Sequence, residues 1–80
     1  MKHTFVIDDD VKLENEGTTT LIFFLAAQKN DAPGSTTITV LPQTTVTVKA
    51  SDLGDIKTNT FLNVKNNDAV NKGEWTVEFV

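Results

Sequence analysis

Apolar and polar residues alternate with a period of two along much of this chain. In Thr44 to Ala50, Val46, Val48 and Ala50 fall on one side, and Thr45, Thr47 and Lys49 on the other. Thr36 to Leu41 sets Ile38 and Val40 against threonines. Glu74 to Val80 sets Trp75, Val77 and Phe79 against Glu74, Thr76 and Glu78, and Thr60 to Asn66 turns Leu62 and Val64 inward. A period of two puts successive side chains on opposite faces of a β-strand. Thr4 to Ile7, Val11 to Leu13 and Thr18 to Ala27 supply further runs, the last being the strongest.

Turn signals separate these runs: Asp8-Asp9-Asp10, Asn15-Glu16-Gly17, Lys29 to Gly34 with its Pro33-Gly34, Pro42-Gln43, and the polar stretch Asn66 to Gly73. The alike runs on either side of Pro42 read as the two arms of a hairpin. Ser51-Asp52-Leu53-Gly54-Asp55 predicts one short helical turn, with Ser51 as N-cap and Gly54 taking a left-handed exit. Elsewhere no 3.6-residue stripe is sustained. The expected fold is therefore all-β: one domain over residues 1–80, forming a small antiparallel β-sandwich (immunoglobulin-like or Greek-key) or a small barrel of six to seven strands, with at most one helical turn near 51–55.

One segment breaks the alternation. Leu21-Ile22-Phe23-Phe24-Leu25-Ala26-Ala27 is apolar on both faces, whereas a sheet with solvent on one side keeps one face polar. A two-layer domain covers one face with its own second sheet. Leu21, Phe23, Leu25 and Ala27 share one face and Ile22, Phe24 and Ala26 the other, and alternation leaves open which is inward. The uncovered face needs either an internal cover, such as the 51–59 segment with Leu53 and Ile56, or a partner. Ile22 and Phe24 are accordingly the candidate self-association residues.

Size sharpens that demand. A domain of 80 residues buries only about 60% of its unfolded surface, and small scaffolds usually rely on disulfides, a metal or a partner. The chain has no cysteine and one histidine, His3, so disulfides and thiolate or histidine metal sites are not expected. Oligomerisation is the remaining source of added stability. The net charge is -4, with seven lysines and no arginine. That balance argues against nucleic acid, which is bound through basic surfaces, and against anionic membranes. Met1 to Asp10 lack the apolar core of a secretory leader, and the seven-residue apolar run is far short of the ~20 residues of a membrane helix. The expectation is a soluble chain.

The candidate chemistry is sparse. Asp8-Asp9-Asp10 resembles part of an oxygen-ligand site, but lacks the glycine and glutamate of a calcium loop and reads better as an acidic turn. Asp52 with Asp55, and Glu74 with Glu78, are paired carboxylates that acid–base catalysis would need in a cleft. They read better as turn and strand-surface residues. The only serines, Ser35 and Ser51, lie outside any nucleophile-elbow pattern, and Gly17, Gly34, Gly54 and Gly73 stand too far apart for a phosphate loop. No enzymatic activity and no cofactor are expected. Trp75 shares its register with Val77 and Phe79, which favours core packing over stacking on a sugar. The expected function is a non-catalytic structural or protein-interaction module, self-associating through strand 21–27 as a homo-oligomer or with a partner protein. The alternative is a lectin-type module that binds carbohydrate through loops Lys29 to Ser35 and Asn66 to Lys72.

Overall fold

The computed structural model describes residues 10–66, 69–70 and 74–79. Among these residues it forms a two-layer β-sandwich of seven strands and one 3₁₀ turn. The strands are β1 (Asp10–Asn15), β2 (Leu21–Ala26), β3 (Ile38–Val40), β4 (Thr44–Lys49), β5 (Phe61–Asn66), β6 (Ala69–Val70) and β7 (Trp75–Phe79). The 3₁₀ turn η1 (Ala50–Leu53) follows β4. One sheet has the order β4-β1-β7 and the other β3-β2-β5-β6, and every pairing is antiparallel. The expected run Thr4 to Ile7 lies outside the described residues.

The chain alternates between layers. β1 and β4 are neighbours in one sheet, β2 and β5 in the other. The connections β1–β2 and β4–β5 therefore both cross the sandwich. This interlocking is a Greek-key feature, and it places a residue near one chain end, Val11, directly opposite both Val48 and Phe79.

Alternation decides what fills the space between the sheets. β1 contributes Val11 and Leu13, which pair in register with Val48 and Val46 of β4. Across the gap, β2 turns Leu21, Phe23 and Leu25 inward, opposite Val40 and Asn66, Ile38 and Val64, and Leu62 respectively. These residues form one core, closed at one end by Ala50 and Leu53 of η1 and flanked by half-buried Trp75 and Val77. The rings of Phe23 and Trp75 meet edge-to-face, with centroids 6.2 Å apart and an interplanar angle of 86°. Such a pair adds about 0.5–1.5 kcal/mol beyond the area it buries. Trp75 is thus part of the core, as its register predicts.

Four details differ from the sequence reading. β1 is a six-residue central strand rather than a brief piece, because the buried Asn15 continues the inward alternation with a polar side chain. β2 begins at Leu21 instead of Thr18, since the 17–19 segment is a bend. The runs around Pro42 are not a hairpin: β3 and β4 lie in different sheets, and Gln43 turns the chain between them at φ 57°. Ser51 is not the N-cap. The 3₁₀ turn starts one residue earlier, and the Asp52 carboxylate accepts a hydrogen bond from the Lys49 N–H at 3.2 Å.

Gly54 leaves η1 at φ 149° and ψ -172°, an extended conformation that is essentially restricted to glycine, rather than the ordinary left-handed exit. A Cβ there would stand 3.3 Å from the Leu25 Cβ. Gly54→Ala is expected to lower unfolding free energy by about 1–3 kcal/mol, measured by urea titration. Phe23→Ala should cost about 3–5 kcal/mol, leaving little native signal in the near-ultraviolet circular dichroism of Trp75.

Candidate functional site

Four places in the sandwich could carry function: the outer face of the four-stranded sheet, a surface cleft at each end, and the open strand edges. Each is built by the strand register just described.

The outer face of β2 carries Ile22, Phe24 and Ala26. Register places Thr39 and Lys65 beside Ile22, Asn63 beside Phe24, and Phe61 beside Ala26. Phe24 is 0% exposed and Ala26 7%, and Ile22 is half-buried. The connection after β2 is fastened to this face. Asn63 donates from Nδ2 to the Gln28 carbonyl at 3.0 Å, and its Oδ1 accepts from the Asn30 N–H at 3.1 Å. The anticipated association face is largely closed within the chain: Phe24 and Ala26 are buried, and Ile22 and Phe61 are partly exposed at opposite ends of β2. Two half-buried side chains at opposite ends of a strand do not make a contiguous apolar patch. The 51–59 segment, proposed above as its cover, lies elsewhere: Leu53 enters the inner core and Ile56 packs against it.

At the end of the sandwich where β1 finishes, polar side chains tie the crossing segments together. Asn15, 1% exposed, donates from Nδ2 to the carbonyls of Thr19 at 2.7 Å and Val40 at 3.1 Å, and accepts at Oδ1 from the Gly17 N–H at 3.0 Å. Gln43 donates from Nε2 to the carbonyls of Glu16 and Gly17, and the Thr19 hydroxyl donates to Asn66 Oδ1 at 2.6 Å. A cleft of about 280 Å³ opens beside them, lined by Gly17, Thr18, Thr19, Asn66 and Glu74. At the opposite end a second cleft of about 280 Å³ lies among Leu25, Gly34, Ser35, Thr36, Gly54, Asp55 and Asn59. Of the two loops of the carbohydrate reading, the described residues place part of each at a cleft. Ser35 lines one cleft and Asn66 the other, separated by the length of β2. Asn67, Asp68, Asn71 and Lys72 lie outside the described residues.

The carboxylates take structural partners. Asp55 Oδ1 accepts from the Lys57 N–H and Oδ2 from the Thr58 hydroxyl, capping its own turn, while Asp52 caps η1. Glu78 pairs with Lys12 at 3.9 Å and Asp10 with Lys49 at 2.8 Å on the outer face of the three-stranded sheet. Ser51 is exposed on η1, far along the chain from Ser35. His3, Asp8 and Asp9 lie outside the described residues. Among the described residues, no three acidic or histidine side chains converge as metal ligands, and no helix is long and apolar enough to cross a membrane.

The strand edges differ from one another. β3 has three residues and β6 two, while β7 carries Glu78 and is preceded by Glu74. Short length and charge are the usual devices that discourage pairing with another chain. β4 has neither: it is six residues long, reads T-T-V-T-V-K, and has its one charge at the last position. Among the described residues, only β1 pairs with it. Val46 and Val48 point inward yet stay half-buried, because they form the rim of the core on this side. Periodicity gave no sign of this edge, since alternation fixes faces and not neighbours.

Compared with known proteins, the chain matches no family model, and no curated protein or solved structure shows significant similarity.

Two substitutions separate the faces of β2. Phe24→Lys is expected to abolish folding, seen as loss of the cooperative thermal transition, whereas Ile22→Lys should fold and cost under about 1.5 kcal/mol. Asn15→Ala leaves two carbonyls and one N–H without their side-chain partner. It should cost about 1–3 kcal/mol, read as a lower urea midpoint at unchanged slope.

Proposed function

We propose that this protein is a non-catalytic β-sandwich module that works as a structural or protein-interaction unit, with self-association as its mode of action. The observation that supports this reading most directly is the β4 edge. Among the described residues this extended strand, without proline or central charge, pairs on one side alone, with β1, which suits the addition of a further strand on the other. The self-association expected from strand 21–27 moves to β4 in this reading, because Phe24 is closed off within the chain.

The polar clusters support the same conclusion from the other side. Asn15, Gln43, Asn63, Asp52 and Asp55 are engaged in holding turns and crossings in place. Their hydrogen bonds give each of them a folding role that needs no substrate.

Amide hydrogen exchange over a range of protein concentrations tests this. Alternate amides within Thr44–Lys49 are expected to slow as concentration rises, in step with the mass measured by light scattering. Exchange independent of concentration, with a mass fixed at the 8.8 kDa of one chain, would refute self-association.

A further inference from the structure

We infer that the cleft lined by the 34–36 and 54–59 segments binds one neutral, hydroxyl-rich ring, the terminal monosaccharide of a glycan. The inference goes beyond the self-association reading and is independent of it, since the lining of this cleft shares no residue with β4.

Two connections build the cleft, the one between β2 and β3 and the one between η1 and β5. The second is held by its own hydrogen bonds: the Asp55 carbonyl accepts from the N–H groups of Asn59 at 2.9 Å and Thr58 at 3.4 Å. Its carboxylate takes the Lys57 N–H and the Thr58 hydroxyl. Gly54, at φ 149°, stands where a side chain would intrude. A Cβ there would lie 3.3 Å from the Leu25 Cβ and 3.9 Å from the Asn59 Nδ2. Bare glycine thus leaves room beside both an aliphatic side chain and an amide.

The polar side chains here are uncommitted, unlike those that clasp the crossings. The Asn59 amide and the Ser35 and Thr36 hydroxyls make no hydrogen bond to another described residue, and no described side chain has a polar atom buried without a partner. In the opposite cleft, by contrast, Thr19 and Asn66 bond to each other. An amide and two hydroxyls both donate and accept, and each Asp55 carboxylate oxygen has a lone pair to spare. That set matches ligand hydroxyls, which also do both. Other classes fit poorly. Among the described lining residues there is no lysine, and Asp55 and the net charge of -4 oppose an anion. One carboxylate is few for a divalent cation. One leucine is little for an apolar ligand, but it suits the C–H face of a sugar ring. A volume of about 280 Å³ lies just below the usual range of about 300–1,000 Å³, which restricts the occupant to a single ring. Gly34, Ser35 and Thr36 are exposed, so the rest of a glycan can leave past them.

Amide chemical-shift titration by NMR tests this, with glucose, mannose, galactose and N-acetylglucosamine, and the methyl glycosides of each, added into the tens of millimolar. At least one sugar is expected to give saturable shifts at Thr36, Gly54 and Asn59, with a methyl glycoside binding as tightly as the free sugar. Asn59→Ala and Thr36→Val should each weaken that binding about fivefold or more, as the loss of a hydrogen bond implies, while keeping the cooperative thermal transition. Thr18→Ala, at the opposite cleft, should leave it unchanged. No saturable shift with any sugar overturns the inference. So do shifts centred on Thr18, Thr19 and Asn66, or Asn59→Ala and Thr36→Val variants that bind like the wild type. A free sugar that binds where its methyl glycosides do not overturns the assignment to a glycan terminus. Each of these failures leaves the mass and the hydrogen exchange of β4, and hence the self-association reading, untouched.

Discussion

The sandwich depends on one buried amide. Asn15 sits at the end of the central strand β1, where the chain must leave one sheet, cross the core and start β2, and where β3 ends before the second crossing. Its two N–H groups take the carbonyls of Thr19 and Val40, and its oxygen takes the Gly17 N–H. A buried carbonyl without a donor costs about 1–3 kcal/mol, comparable with a large side chain's share of core burial. Asn15 removes that cost at two crossings at once. Gln43 adds a second clasp from the other crossing, to the carbonyls of Glu16 and Gly17. The interlocked order of the strands is thus held by side-chain amides at one end and by the 3₁₀ turn, with Leu53 in the core, at the other.

Much of this was legible as faces and little as neighbours. Inward Val46, Val48, Ile38, Val40, Leu62 and Val64 follow from period two alone, because a strand allows only two directions. Asn15 was not legible as an inward residue. A polar side chain at an inward position looks, in sequence, like the start of a turn, and its partners Thr19 and Val40 are four and twenty-five residues away. The hairpin expected at Pro42 failed for a related reason: a tight turn with Pro and Gln at its centre serves a change of sheet as well as a return within one.

The candidate site divides the same way. The apolar excess in Leu21 to Ala27 was visible in the sequence, and so was the need for a cover over Phe24. That Asn63, at the centre of β5 and directly opposite Phe24, holds the connection after β2 by its amide could not be read from composition, since asparagine there suggests a strand end. The β4 edge was hidden for the opposite reason. Its alternation is regular, and nothing in a regular strand tells whether one or two neighbours flank it.

The fastening of the 27–37 connection by Asn63 bears on how the molecule breathes. Surface connections of this length ordinarily open at low free energy, ahead of the fold as a whole. Here the first turn of the connection is pinned at Gln28 and Asn30 beside a phenylalanine that is fully enclosed. Lifting it breaks two hydrogen bonds and strands a buried amide in the same event. The segment that looks most like a protease-sensitive loop, with its Asn30-Asp31 and Pro33-Gly34, belongs at its base to the same cooperative unit as the core. Limited cleavage is thereby directed to the tip around Ala32 to Ser35, where backbone can yield without breaking the hydrogen bonds of Asn63.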